Sequence, residues 1–478
     1  MKKIVSCLLL LILTLFLVVG CNGETPQEGT DVNKTVMTVG SFAVTAKEYN
    51  YAYYTTVQEF CSIYQGYLTY FGLDLNTSLK EQKCAISETE QTWAEFFMEQ
   101  TEDILTQVYS FYNAAVAEKM ELKEEYRLQM DAYLLSLTEV AKKANKTNDA
   151  YLSENFGSGL TEQDYKIYME RRLLATQYCD EKLGAIVYTD ADYETYYQAN
   201  KESVDRINFR VYTLNESFLT EDASQSEDTT DAAVKARAEL FAKDLTSEEL
   251  FVQRALEFAP ESEKKNYESS AATLAQNVDA DDLAESDMKT WLFDTARKPG
   301  DVSVHKTSTA TYTVCYFISR QRDENQMVSM RHILLEVDES KEGKTDAEVS
   351  AAIQKIYDDW KAAGSKESDF ITIASEKTED PGSKENGGLY DLFNKGTMVS
   401  EIEDWLYAEG RQMNDTTIIK TSYGYHIVMF KGYGDLGWKA ACLAGMENAS
   451  YNNLLENLKK VNAVTFEENH RDAVGNDY

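Results

Sequence analysis

The sequence predicts an α+β chain of several domains, and three observations predict it. From residue 46 to about 184 the chain has no proline and carries apolar residues at helical spacing, such as Phe96-Phe97, Ile104-Leu105, Val108 and Phe111-Tyr112, the pattern of helices packed on one another. Between 331 and 432, short apolar runs alternate with glycine-punctuated loops. Arg331-His332-Ile333-Leu334-Leu335 opens this stretch and Tyr425-His426-Ile427-Val428 closes it, each reading as a strand that bears one imidazole. Finally, Trp291-Leu292-Phe293 precedes Trp405-Leu406-Tyr407 by 114 residues, and Lys306-Thr307 precedes Lys420-Thr421 by the same 114, an equal offset that marks a duplicated unit.

The chain opens with a targeting pattern. Met1-Lys2-Lys3 is a short basic start, Ile4 to Val19 is almost wholly apolar, and Gly20-Cys21 is followed by polar Asn22-Gly23-Glu24. The basic start and small-residue end favour a secretory signal over a membrane-spanning anchor, and either keeps the chain on the same side of the membrane. The pattern resembles a lipobox, which implies a signal peptide of residues 1–20 cleaved before Cys21, lipidation of Cys21 and a tether on the outer face of the cell membrane. Residues 21–35 read as a flexible linker rich in Gly, Thr, Asn, Asp and Glu.

Composition narrows the partners. A formal charge of −34 over 478 residues repels nucleic acid and anionic headgroups, so membrane attachment depends on the lipid. A 43% hydrophobic and 12% aromatic content excludes a wholly disordered chain. Beyond the leader, Cys61, Cys84, Cys179, Cys315 and Cys442 show no spacing of a disulfide framework or metal site, although a Cys61–Cys84 bridge stays open.

Val36 to Thr45 alternates as strand, turn and strand, and Thr45 followed by Glu48 forms a capping-box pattern for a helix. This opening resembles the N-terminal chaperone domain of secreted foldases of the PrsA and SurA type, here assigned to residues 36–200. Tyr49, Tyr51, Tyr53 and Tyr54 crowd one helix and must line more than one face, leaving some partly exposed. Ordinary packing accounts for most of them, and a client-binding surface is the sharper reading. Trp438 to Lys460 carries another apolar helical stripe, followed by a strand from Val461 to Glu468. In such foldases a piece like this one, 437–478, returns to complete the N-terminal domain.

Between the two imidazole-bearing strands lie Asp380-Pro381-Gly382-Ser383, Asn386-Gly387-Gly388-Leu389 and Phe393-Asn394-Lys395-Gly396-Thr397-Met398-Val399, and Thr421 stands just before the last strand. In this order the motifs resemble the parvulin family of peptidyl-prolyl isomerases, over about a fifth of the chain. The resemblance implies a four-stranded antiparallel sheet wrapped by helices across 327–433, and paired histidines beneath a small proline pocket. It assigns His332, His426, Asp380 and Thr421 to the catalytic floor, and Met398, Ile402 and Phe393 to the apolar seat. Two departures stand out: Ile402 replaces the usual Phe, and Gly387-Gly388-Leu389-Tyr390-Asp391 replaces Gly-Gly-Asp-Leu-Gly. Taken singly, each residue has an ordinary structural reading, a turn Asp, a core Met or a core His. The set and its order carry the assignment. Glu336-Val337-Asp338-Glu339 follows the first strand where phosphate-reading relatives are basic, so no preference for phosphorylated clients is expected.

At the repeat offset, Tyr312 falls opposite His426, and the earlier copy has Arg210 but no histidine near its opening strand. Residues 206–322 are therefore expected to form a degenerate parvulin-like domain without activity. His305 is expected in a turn and His470 in a polar tail, neither with a role. The resemblance implies a membrane-tethered extracytoplasmic foldase that isomerises X-Pro bonds in unfolded or partly folded secreted proteins and needs no cofactor and no metal. The alternative is a non-catalytic holdase. A solute-binding lipoprotein fits less well, because the alternating β/α pattern is missing. Monomer or dimer stays open.

Overall fold

The computed structural model describes residues 31–157, 159–219 and 227–473, so the signal, Cys21 and most of the 21–35 linker lie outside the described residues. The chain is an α+β multidomain protein that divides into two compact units, 1–188 with 445–478, and 189–444. The described residues form three antiparallel sheets. No helix among them is long and apolar enough to cross a membrane.

The first unit begins with β1 (Thr35–Val39) and β2 (Phe42–Thr45), followed by α1 (Ala46–Ile63), α2 (Trp93–Ala117), α3 (Glu124–Lys143), α4 (Asn148–Phe156) and α5 (Glu162–Gly184). Helix starts follow sequence chemistry: Thr92 with Glu95 and Thr161 with Asp164 close full capping boxes. Thr45 accepts the Glu48 N–H, but the Glu48 carboxylate turns instead to Arg171 at 3.2 Å, so that box is only half formed. Residues 31–35 are not loose linker. Thr35 enters β1, and the Val32 and Lys34 carbonyls accept from the Lys47 and Ala46 amides.

Helix α1 is buried on two sides, because Tyr49 and Tyr53 enter one core cluster with Phe97 and Trp93 while Tyr51 enters another with Tyr165 and Phe156. The expected exposure of these tyrosines is thus confined to half-buried Tyr54. Exposed aromatics occur instead at Tyr64, Tyr67 and Tyr70, in the non-helical connection 64–92 that interrupts the expected helical run. There the Gln82 amide donates to the Asp74 and Thr77 carbonyls at 2.8 and 2.7 Å. Cys84, Cys315 and Cys442 are buried and form no bridge, so the Cys61–Cys84 pairing does not occur.

The second unit holds α6 (Asp190–Ala199) and α7 (Lys201–Val204), then two modules of one plan. The first module comprises β3 (Arg206–Leu214), α8 (Glu227–Ala242), α9 (Glu248–Phe258), β4 (Leu274–Val278), α10 (Asp287–Phe293), β5 (Val302–Ser308) and β6 (Thr311–Gln321). The second comprises β7 (Gln326–Glu336), α11 (Asp346–Ala362), α12 (Glu367–Lys377), β8 (Leu389–Phe393), α13 (Ser400–Leu406), β9 (Thr416–Lys420) and β10 (Gly424–Leu436). Their sheets run β4-β3-β6-β5 and β8-β7-β10-β9, the same order. Buried residues correspond as well: Val234, Phe241, Phe251 and Ala255 under the first sheet match Ile353, Trp360, Phe370 and Ala374 under the second. In each module an arginine of the central strand pairs with the first glutamate of the second helix, Arg210 with Glu248 and Arg331 with Glu367, both at 3.0 Å.

The chain then enters α14 (Gly437–Val461) and β11 (Val464–Phe466). Within the first unit, β11 pairs antiparallel with β1, Met37 opposite Phe466. Leu455 packs on Val108, Phe111 and Ala175, and Asn462 bonds Asn113 at 2.8 Å. His470 is bound rather than idle, 3.0 Å from Glu102 and stacked on Phe466. His305 lies on β5, not in a turn, 2.6 Å from the Ser303 hydroxyl. Leu455 is only 6% exposed, so Leu455→Ala is expected to weaken the first unit by about 2–4 kcal/mol. Hydrogen exchange of the α2 and α5 amides checks this, with Leu135→Ala, on an exposed side chain, as the silent control.

Candidate active site

The site follows from strand alternation. Ile333 of β7 and Ile427 and Met429 of β10 pack beneath the second sheet against α11 and α12. Val328, Met330, Val428 and Phe430 emerge on the opposite face with Phe393, Ile402 and Leu406. Alternate residues share a face, so His332 and His426 stand at the end of this second, apolar face. In register, Val428 lies opposite His332 and His426 opposite Leu334, which makes the two imidazoles diagonal neighbours. Their rings are nearly parallel with centroids 5.4 Å apart, and the Nδ1 atoms are 3.2 Å apart. Both residues are 4% exposed.

The loop after α12 brings in the third group. Thr378 Oγ1 accepts from the Leu334 amide at 3.0 Å and from the Asp380 amide, which ties the loop to β7. Asp380 Oδ2 then lies 2.8 Å from His332 Nε2 and accepts from the hydroxyls of Ser383 and, at 3.1 Å, Tyr390. On the other side Gly388 is indispensable. Its φ is +76°, and a Cβ there would lie 2.2 Å from the His332 carbonyl oxygen, whereas glycine lets its own carbonyl accept the His332 N–H at 2.8 Å.

Electrostatics give this array a direction. The hydrogen bond from His332, reinforced by Ser383 and Tyr390, holds the Asp380 carboxyl far below the usual carboxylate range despite partial burial. An ionised carboxylate only accepts, so His332 Nε2 carries a proton. Burial, with the neighbouring His332 ring adding to it, pushes His426 down from about 6.5 to about 4, so this ring is neutral. The chain is satisfied when neutral His426 donates its Nδ1–H to His332 Nδ1, 3.2 Å away, and accepts at Nε2 from the Thr421 hydroxyl at 2.9 Å. Thr421 Oγ1 in turn accepts the Tyr423 amide at 3.1 Å. Burial and the Asp380 charge push the Tyr390 hydroxyl up to about 12, so it stays a donor.

The structure brings His332, His426, Asp380 and Thr421 into one chain of hydrogen bonds. Phe393, half-buried Met398 and Ile402 share the apolar cluster on the same face. Ile402 is only 2% exposed and packs within this cluster. Sequence reasoning missed two of Asp380's partners. Ser383 stood inside a quoted motif, and Tyr390 occupies the departure from the usual glycine-rich pattern, which was its signal. Among the described residues no cluster of three or more potential metal ligands occurs.

The first module corrects the repeat register. Tyr212 and Tyr312 pack against α8 and α9, on the face opposite to the one expected, and the Tyr312 hydroxyl donates to Asp231. Matching Arg210 to Arg331 and following the ladders places Val211 where the second module has His332, and Thr313 where it has His426. Between β5 and β6 five residues separate Lys306 from its partner Tyr312, against four between Lys420 and Tyr425. That extra residue lies in the turn and leaves the strand pairing unchanged, so a constant sequence offset sets Tyr312 against His426 while the ladder sets Thr313 there. Thr307 lies 3.4 Å from Thr313, a hydroxyl pair in the place of Thr421 and His426.

Comparison with known proteins agrees with this geometry. Residues 312–433 match the family model of the PPIC-type PPIASE domain. The match takes in the second module as far as Tyr433 and the last strand of the first from Tyr312. The chain is 46% identical over 61 residues to the foldase protein PrsA 4 of Bacillus cereus, covering 13% of this chain and 21% of that one. It is 38% identical over 76 residues to the putative peptidyl-prolyl cis-trans isomerase Cbf2 of Campylobacter jejuni, 16% and 28% of the two chains. With the chaperone SurA of Pseudomonas fluorescens it shares 26% identity over 136 residues, 28% and 30% of the two. The chain thus spans about a fifth to a third of the length of these relatives. Among solved structures, PrsA from Bacillus subtilis is 14% identical with a TM-score of 0.22, covering 80% of this chain and 93% of that one.

Neutral, buried His426 has a consequence for acid stability. In the unfolded chain the ring takes up a proton as pH falls below about 6.5, whereas in the folded chain it does so only near 4. Its contribution is therefore intact above pH 6.5, declines as pH falls and is lost by about pH 4, a change of about 3 kcal/mol. Hydrogen-exchange protection of the β7 and β10 amides should show the stability gap between wild type and His426→Gln narrowing by this order from pH 7 to pH 4. A gap constant with pH would refute it.

Proposed function

We propose that this chain is an extracytoplasmic foldase, anchored through a lipid on Cys21, that isomerises X-Pro peptide bonds in exported proteins at the second module. The observation that carries the reading is the Asp380–His332–His426–Thr421 chain beside the Phe393–Met398 seat. Rotation about an X-Pro bond crosses about 18–20 kcal/mol, and no bond has to be made or broken. The twisted amide has lost conjugation, so its carbonyl is more ketone-like and its nitrogen more basic. A site that binds this form better than either planar form accelerates rotation about tenfold for each ~1.4 kcal/mol of preference. The apolar seat holds the proline ring. The fixed charge of Asp380 sets the potential at the amide, and the two buried rings hold that charge and the sheet face rigid. A nucleophilic role for Asp380 does not fit a carboxylate whose Oδ2 already accepts three hydrogen bonds.

The 206–322 module, with Val211 and Thr313 at the two histidine positions, is read as inactive. The exposed Tyr64, Tyr67 and Tyr70 of the first unit favour a client-gripping role for that unit alongside catalysis. The experiment is isomerisation of a short X-Pro peptide by the mature chain. Wild type is expected to be active, and Asp380→Ala and His426→Ala to lose at least about tenfold in kcat/KM while keeping their circular dichroism. A folded, inactive wild type would leave the gripping role alone.

A further inference from the structure

The loop that delivers Met398 is held from two sides, and one side belongs to the other module. From within, Glu403 of α13, 8% exposed, accepts the Gly396 and Met398 amides at 2.6 and 3.0 Å. From outside comes β4, the edge strand of the first module. Asn277 Nδ2 donates to the Lys395 carbonyl at 2.5 Å and to Asp323 Oδ2 at 3.0 Å. The backbones meet closely here: a Cβ on Gly396, whose φ is +100°, would lie 3.1 Å from Asn277 Cβ and 3.3 Å from the Gln276 carbonyl. Asn277 itself adopts φ +53°, a left-handed conformation that few side chains accept at low cost, and its N–H donates to Asn208 at 2.7 Å.

Asp323 makes this contact a junction. It is 1% exposed, sits in the connection between β6 and β7, and accepts from the amide and side chain of Asn325 at 3.0 and 2.8 Å as well as from Asn277. Its carbonyl accepts the Trp438 amide at 3.0 Å. One buried carboxylate thus links the module connection, the start of α14 and, through Asn277, the loop under the seat.

We infer that the first module, though lacking the histidine pair, is a positioning element of the proline seat, acting through Asn277 on the Lys395–Met398 loop. The inference rests on the isomerase reading of the second module. Duplication followed by loss of the site then left a domain whose edge strand still serves the reaction of its neighbour.

The decisive variant is Asn277→Gly in the mature chain, because glycine keeps the left-handed backbone and removes only the amide. Loss of one hydrogen bond to the loop is expected to raise KM for an X-Pro peptide about fivefold with kcat within about twofold. It should also speed exchange of the 396–398 amides and shift the Met398 methyl resonance, while the His332 and His426 ring signals stay in place. Asn277→Asp, which sets a like charge against Asp323, should have the larger effect. Unchanged loop exchange in Asn277→Gly would overturn the inference, and so would faster exchange with an unchanged KM. If wild type shows no isomerisation, the isomerase reading fails and takes the catalytic half of the inference with it. The exchange data still show whether the first module holds the loop.

Discussion

The second module depends on a buried chain of hydrogen bonds that runs from Asp380 through two imidazoles to Thr421. Asp380 accepts, His332 passes one proton's worth of direction across the sheet, and His426 ends the chain on Thr421. Unpaired polar atoms at 4% exposure would cost several kcal/mol. The strands, the Thr378 tether and the close approach of Gly388 are therefore all bound to the same geometry. The same requirement makes the site rigid, which suits a reaction that needs only a fixed potential and a shaped seat.

The two modules show how a turn takes up one extra residue. Their helices, ion pairs and strand order coincide, and the extra residue in the β5–β6 turn is absorbed there, so that Lys306–Tyr312 pairs as Lys420–Tyr425 does. Where the second module presents His426 to the open face, the first presents Thr313 and turns Tyr312 into its core. Where Thr378 caps α12 and accepts the Leu334 amide, Ala259 caps α9 in the first module and has no hydroxyl to do so. A fold can thus survive the loss of a site, because sheet packing against helices is set by apolar alternation and not by the residues on the opposite face.

Much of this was legible in the sequence. Periodicity located the helical region, the imidazole-bearing strands and the repeat, and the order of Asp380, Gly388, Met398 and Thr421 marked the site. What failed were properties decided by tertiary contacts. The tyrosines of α1 looked too many to bury, but α1 has core on two sides and buries three of four. Residues 64–92 lack proline yet form turns around Gln82. A fixed sequence offset could not register a one-residue insertion in a turn, so the counterpart of His426 was misread. Tyr390 was visible only as a departure from pattern, and only the folded sheet places its hydroxyl on Asp380.

The most direct test of the site is the protonation of its two rings, which is accessible because the chain has only four histidines. Nitrogen-15 long-range NMR on histidine-labelled protein at pH 7 should show His426 protonated at Nδ1 with a lone pair at Nε2, and His332 protonated at Nε2 with a lone pair at Nδ1. His426 should keep that form to about pH 5. Finding His426 protonated at Nε2, or titrating near pH 6.5 like an exposed imidazole, would contradict the hydrogen-bond chain on which this account rests.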